Sequence, residues 1–199
     1  MKIMRVIAGQ YRSRPLTAPP GQSTRPTSDR LRETLFNVLA PRIEGATFLD
    51  LYAGSGAVGI EALSRGAKEV IFVDQAAPAQ KAIRANLSAL QIRSGYALEA
   101  RSAAAAVQRL AEERPARQGS PIDLVFLDPP YDRIEEYEKT LGLLGGACSA
   151  LLAPEAIVIA EHAKRRSLPE SYGILHRYRS LVQGDAALSF YRAGQRSRS

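Results

Sequence analysis

Apolar residues are sparse along the first 45 positions and fall into a regular strand–helix rhythm after them. Arg5 to Gln10 and Tyr11 to Leu16 read as two short strands turning at Gly9-Gln10. Ala18-Pro19-Pro20-Gly21 follows, where fixed φ angles and missing N–H donors exclude a helix. Leu31, Leu35, Val38 and Leu39 then fall at i, i+4, i+7 and i+8, one face of a helix. Thr27, Ser28 or Asp29 can cap its start, and Pro41 is expected to end it. From Thr47 the pattern predicts strands over 47–52, 69–74, 96–100, 122–127 and 156–160. Helices are expected between them, to about Arg65, over 77–90, over 102–114 and over 135–148. Near-continuous apolar strands alternating with helices mean a parallel sheet covered on both faces. The end breaks that rhythm: Ile174–Val182 and Ala187–Arg192, joined by Gln183-Gly184-Asp185, read as an antiparallel hairpin.

The expected fold is therefore α/β, a doubly wound, mostly parallel sheet of seven strands with a C-terminal antiparallel hairpin. Residues 1–45 form a basic extension of short hairpin and helix, residues 46–193 the main domain, and residues 194–199 a frayed basic tail. No apolar run approaches the ~20 residues a membrane helix needs. Met1 to Arg5 shows no signal-peptide stretch, and Cys148 is the only cysteine, so a reducing, cytoplasmic setting is expected. Charge adds a direction. Lys and Arg number 27 against 20 acids, and a net +7 on 199 residues fits a polyanionic partner.

Two motifs carry chemistry. Gly54-Ser55-Gly56-Ala57-Val58-Gly59 lies between a strand and a helix, and Asp74 ends the next strand 20 residues after Gly54. Glycines for close backbone approach and an acid for ribose hydroxyls suit a dinucleotide. They suit S-adenosylmethionine as well. Asp50, four residues before Gly54, favours the second reading, because a carboxylate there suits a cationic ammonium and sulfonium and repels a pyrophosphate. The extension before the first strand also departs from a nicotinamide-binding layout.

The second motif, Asp128-Pro129-Pro130-Tyr131, follows the apolar run 122–127 at the carboxyl end of a strand, where open α/β sheets bind ligands. An exocyclic base amine is a poor nucleophile because its lone pair is delocalised into the ring. Asp128 can accept one of its N–H bonds and the Pro129 carbonyl, held outward by a fixed φ, the other. Two such acceptors favour a pyramidal nitrogen whose lone pair points at the methyl donor. Tyr131 offers a ring for the base to stack on, worth ~1–3 kcal/mol. A base so held must be unpaired or flipped out of its stack.

With these motifs the chain resembles the amino-directed nucleic-acid methyltransferases. Arg25-Pro26-Thr27-Ser28-Asp29-Arg30-Leu31-Arg32-Glu33-Thr34-Leu35-Phe36, the opening Arg5 to Gln10, and Gly54 to Gly66 narrow the resemblance. Over about residues 5–193 the chain is similar to the family of ribosomal RNA small subunit methyltransferase D. The resemblance implies a Rossmann-like methyltransferase that uses S-adenosyl-L-methionine to methylate N2 of one guanine in 16S rRNA of the assembled small subunit. It assigns the cofactor to Asp50, Ala53, Gly54, Ser55, Gly56 and Asp74, and the target base to Asp128, Pro129, Pro130 and Tyr131. Arg12, Arg14, Arg25 and Arg30 become candidate rRNA phosphate contacts. The third strand departs from the family pattern: an Asp or Asn near the adenine amine is replaced by Ala100-Arg101-Ser102, leaving Ser102 to accept that hydrogen bond.

His162, His176 and Cys148 make no ligand cluster, so no metal is expected. No obligate protein partner is expected either, and the chain is read as a monomer. Three alternatives stay open: an adenine-N6 methyltransferase on RNA or DNA, a noncatalytic RNA-binding assembly factor, and an NAD-dependent reductase.

Overall fold

The computed structural model describes residues 4–19, 28–116 and 119–194. It divides into two compact units, Met1–Ser102 and Ala103–Ser199.

In the first unit, strands β1 (Thr47–Leu51), β2 (Glu69–Val73) and β3 (Tyr96–Glu99) pair in parallel, β1 with β2 and β2 with β3. Every residue of β1 is buried, which is why its apolar run shows no alternation. Helix α1 (Asp29–Ile43) starts at Ser28, whose hydroxyl accepts from the Leu31 N–H at 3.2 Å. Leu31, Leu35, Phe36, Leu39 and Ile43 form its buried face. The helix passes through Pro41, contrary to expectation. Proline lies in the last turn, where one lost backbone bond does not unravel the turns behind it. Helices α2 (Ala57–Ser64) and α3 (Ala77–Ala89) follow β1 and β2.

The N-terminal segment folds back as a hairpin, but its two expected strands reduce to a single antiparallel bridge between Arg5 and Pro15, with Gly9 at φ +81° in the turn. Its backbone is tied to α2 and α3 by buried side chains. Glu61, fully enclosed, accepts from the N–H of Ile7 at 2.7 Å and Ala8 at 3.0 Å, and from Arg65 Nε at 2.7 Å. Ser64 donates to Ala8 O and accepts from Tyr11 N–H, and a Cβ on Gly9 would collide with Ser64 O. Asn86 bonds both the N–H and the carbonyl of Thr17.

The second unit holds α4 (Ala103–Ala116), β4 (Ile122–Leu127), α5 (Ile134–Gly145) and a short 3₁₀ turn at Ser149–Leu151. Strand β5 (Leu152–Ala163) pairs in parallel with β4. Strands β6 (Ser171–Tyr172), β7 (Leu175–Gln183) and β8 (Ala186–Ala193) add antiparallel, with β8 between β5 and β7. Three details differ from expectation. Two-residue β6 is an eighth strand, too short to leave a sequence pattern. β5 runs well past its apolar stretch at both ends. α5 stops at Gly145, because Gly146 at φ −122° and ψ −112° leaves the helical region. No described helix is long and apolar enough to cross a membrane.

Glu61→Ala removes the acceptor of two hairpin N–H groups and of one guanidinium. A loss of about 3–5 kcal/mol in urea unfolding is expected, as for other broken buried pairs. Faster amide exchange at Ile7 and Ala8 is the local check; unchanged exchange there would mean that Glu61 does not hold the hairpin.

Candidate active site

The β1–α2 turn is built by backbone geometry that its sequence dictates. Gly54 and Gly56 take φ +57° and +76°, the left-handed region glycine enters without strain. Tyr52 takes φ +62° with a bulky side chain, a conformation that costs of order 1–3 kcal/mol and must be held by its surroundings. The hold is visible. Ala53 N–H donates to Val73 O at 3.0 Å and Gly56 N–H to Ala53 O at 2.7 Å. Asp74 Oδ2 accepts from Gly54 N–H at 2.9 Å while Oδ1 accepts from Ala76 N–H at 2.9 Å. Asn86, besides gripping Thr17, donates to Ser55 O at 2.9 Å, and the Ser55 hydroxyl lies 3.6 Å from Met4 Sδ.

Asp50 is the buried partner of this turn. It is 1% exposed, and Oδ2 accepts from Gly59 N–H at 2.9 Å in the first turns of α2. At Gly59 a Cβ would meet Phe72 Cε1 at 2.3 Å and Asp50 Oδ2 at 3.0 Å, so only glycine lets helix, strand and carboxylate approach. Burial pushes the Asp50 pKa up to about 7; Gly59 N–H pulls the other way and the Asp74 charge adds to the rise. The sequence reading placed this carboxylate toward a cationic ligand, and the structure commits one of its oxygens to closing the turn.

The set fits adenosylmethionine. Tyr52 to Ser55 are half-buried above a fully buried floor, and Asp74 is half-buried at the end of β2. Each Asp74 oxygen keeps a lone pair beyond its backbone bond. Ser102, half-buried, directly precedes α4.

In the second unit, Asp128 to Tyr131 leave β4 directly. Asp128 is half-buried, Pro129 buried and Pro130 exposed. Arg133 N–H closes the turn on Pro130 O at 2.9 Å. Tyr131 leaves 37% of its surface open and is fixed at both ends. Its hydroxyl donates to Glu161 Oε1 at 3.0 Å, and its carbonyl accepts from Arg166 Nη2 at 2.6 Å. Burial, then the charges of Glu161 and Asp128, raise the Tyr131 pKa well above the usual phenol, so it stays a donor. Tyr137, fully buried, has one hydroxyl proton and two carbonyls in reach, Glu161 O at 2.9 Å and Pro129 O at 3.4 Å. The proton goes to the nearer one, which leaves the Pro129 carbonyl able to accept.

Glu161, Tyr137 and Arg166 were not singled out from sequence. Glu161 alone leaves a trace, an acid directly after the apolar run 156–160. Among the candidate RNA contacts, Arg12, Arg14 and Arg30 are exposed, and Arg25 lies outside the described residues. Arg14 also reaches Ala89 O at 3.4 Å. Arg32 is no surface residue: it is fully buried, pairing with Asp29 at 2.7 Å and donating to Arg5 O at 2.8 Å. His162 is 3% exposed, and burial lowers its pKa. Its Nδ1 donates to Ala163 O, so Nε2 accepts from Ser189 Oγ at 2.9 Å.

This α/β architecture with its glycine turn is that of a Rossmann-like methyltransferase. Residues 4–192 match the family described as conserved hypothetical protein 95, and the chain belongs to that family. Ribosomal RNA small subunit methyltransferase D of Escherichia coli is 37% identical over 188 residues, 94% of this chain and 89% of that protein. YlbH of Bacillus subtilis, a candidate rRNA methyltransferase, is 35% identical over 95% of this chain and 98% of its own. The solved structure of the candidate methyltransferase yhhF from Escherichia coli has TM-score 0.76 and 35% identity, covering 98% of this chain and 100% of that one.

The raised Asp50 pKa has a thermodynamic consequence. The fold holds this proton more tightly than the unfolded chain does, so Asp50's contribution is fully present below about pH 4 and is lost as pH rises to about 7. Asp50→Asn removes that dependence. Its stability relative to the parent chain is expected to rise by roughly 1–4 kcal/mol between pH 4 and 7, measured by urea unfolding. Parallel pH profiles would contradict the assignment.

Proposed function

We propose that this protein transfers a methyl group from S-adenosyl-L-methionine to the exocyclic N2 amine of one guanine in 16S rRNA, within the assembled small ribosomal subunit. The observation that carries the reading is the arrangement of Asp128, the Pro129 carbonyl and the Tyr131 ring at the end of β4. Tyr131 is anchored at its hydroxyl and its carbonyl while 37% of its surface stays open. Family membership and the ribosomal RNA activity named for the Escherichia coli relative support the choice of substrate.

Each group has a task its chemistry suits. Bound adenosylmethionine supplies a methyl group activated by its attachment to a sulfonium. In the first unit the turn from Ala53 to Gly56 holds the methionine portion, Asp74 accepts the ribose hydroxyls, and Ser102 accepts from the adenine amine. Asp50, at a pKa near neutrality, is readily ionised by a nearby cation. In the second unit Asp128 and Pro129 O accept the two N–H bonds of the guanine amine and orient its lone pair. Asp128 then receives the proton that the methylated nitrogen sheds. Tyr131 stacks on the base, and Glu161 and Arg166 keep its ring from swinging away. The exposed Arg12, Arg14 and Arg30, with Arg25, contact rRNA phosphates.

The test uses methyl-labelled adenosylmethionine and small subunits from cells lacking this protein, followed by digestion to nucleosides. Label in N2-methylguanosine is expected. Label in N6-methyladenosine would keep the amine clamp and overturn the target. No label from a protein that binds the cofactor would contradict the reading.

A further inference from the structure

Next to the Asp128–Tyr131 turn the second unit carries a cleft of about 470 Å³, lined by Tyr131, Asp132, Ile134, Ala163, Arg165 and Arg166. Its composition is unusual for a solvated surface. Ile134, the first residue of α5, is 53% exposed, and the open part of Tyr131 adds a second apolar face. Beside them Arg165 and Arg166, on the turn leaving β5, line the cleft, and Asp132 is the single acid in the lining. Arg166 is already engaged, with Nη2 on Tyr131 O and its guanidinium 5.9 Å from the Tyr137 ring. It forms a fixed wall. Arg165 is exposed.

Aliphatic and aromatic faces beside a guanidinium are what single-stranded nucleic acid requires: a surface for a base or sugar, and a cation for the phosphate. The position adds a reason. A base drawn out to Tyr131 carries its neighbouring nucleotides with it, and this cleft begins at Tyr131 itself. We propose that the cleft binds the nucleotide adjoining the target guanine, its phosphate on Arg165 and its base or sugar against Ile134. The proposal rests on the reading of the chain as an rRNA amine methyltransferase and names the part of the RNA that this cleft selects. A single-stranded segment is the form that fits, because a stacked duplex base could not lie along Ile134.

The test compares Arg165→Glu, Arg165→Lys and Ile134→Ala with the parent chain on small subunits, using labelled adenosylmethionine. Lys139→Glu, an exposed position on α5 outside the cleft lining, makes the same charge change as a control. Arg165→Glu is expected to raise KM for the subunit about tenfold and to lower the salt dependence of binding by about one counterion. kcat and the Kd for adenosylmethionine stay as in the parent. Arg165→Lys recovers most of the KM, Ile134→Ala raises it severalfold, and Lys139→Glu changes it less than twofold. An Arg165→Glu KM within twofold of the parent, or an equal effect from Lys139→Glu, would overturn the cleft assignment while leaving the methyltransferase reading intact. A parent chain that methylates no RNA would overturn both.

Discussion

Two carboxylates hold the turn on which the first unit depends. Asp50 accepts from Gly59 N–H inside the helix that follows β1, and Asp74 accepts from Gly54 N–H at the turn's outer edge. Between them the chain passes through three left-handed residues, one of them Tyr52. A turn of that shape is unfavourable alone, and α2 lacks a side-chain cap at Gly56. Burying Asp50 is costly, as its raised pKa records. The N-terminal segment joins the arrangement through Glu61, Ser64 and Asn86, and Asn86 touches both Thr17 and the turn carbonyl of Ser55. Segment and turn therefore share one set of buried polar contacts.

The second unit solves a different problem, fixing the turn from Asp128 to Tyr131 that leaves β4. Pro129 and Pro130 stiffen the backbone, and Tyr137, Glu161 and Arg166 hold what proline cannot. The Tyr137 hydroxyl spends its proton on Glu161 O, Glu161 takes the Tyr131 hydroxyl, and Arg166 takes the Tyr131 carbonyl. In the proposed mechanism such preorganisation lets two acceptors orient a poor nucleophile.

Much of this was legible from sequence, for reasons that differ by element. β1, β2 and β4 announced themselves because strands covered on both faces must be apolar throughout. β5 was under-read: Glu161 and His162 look polar, and only the fold supplies Tyr131 and Ser189 as their partners. Gly145 meets the Tyr172 carbonyl, a contact between residues distant in the chain that leaves no room for a Cβ. Pro41 misled because its cost depends on which turn of the helix it occupies. Among the candidate site residues, Gly54, Gly56, Asp74 and Asp128–Tyr131 carry a signal in residue type and spacing. The residues that hold them, Asn86, Glu161 and Arg166, were not, since a supporting contact carries no motif. Arg32 shows the converse, a basic residue in a charged segment that folds inward.

Asp128 is the residue on which the proposed chemistry turns, and replacing it gives the most direct measurement. Asp128→Ala is compared with the parent chain for turnover on small ribosomal subunits, and for adenosylmethionine affinity by calorimetry. The account predicts a kcat at least about 100-fold lower, the scale of losing one preorganised polar contact in the transition state, with the cofactor Kd unchanged. Turnover near that of the parent, with the cofactor still bound, would contradict it.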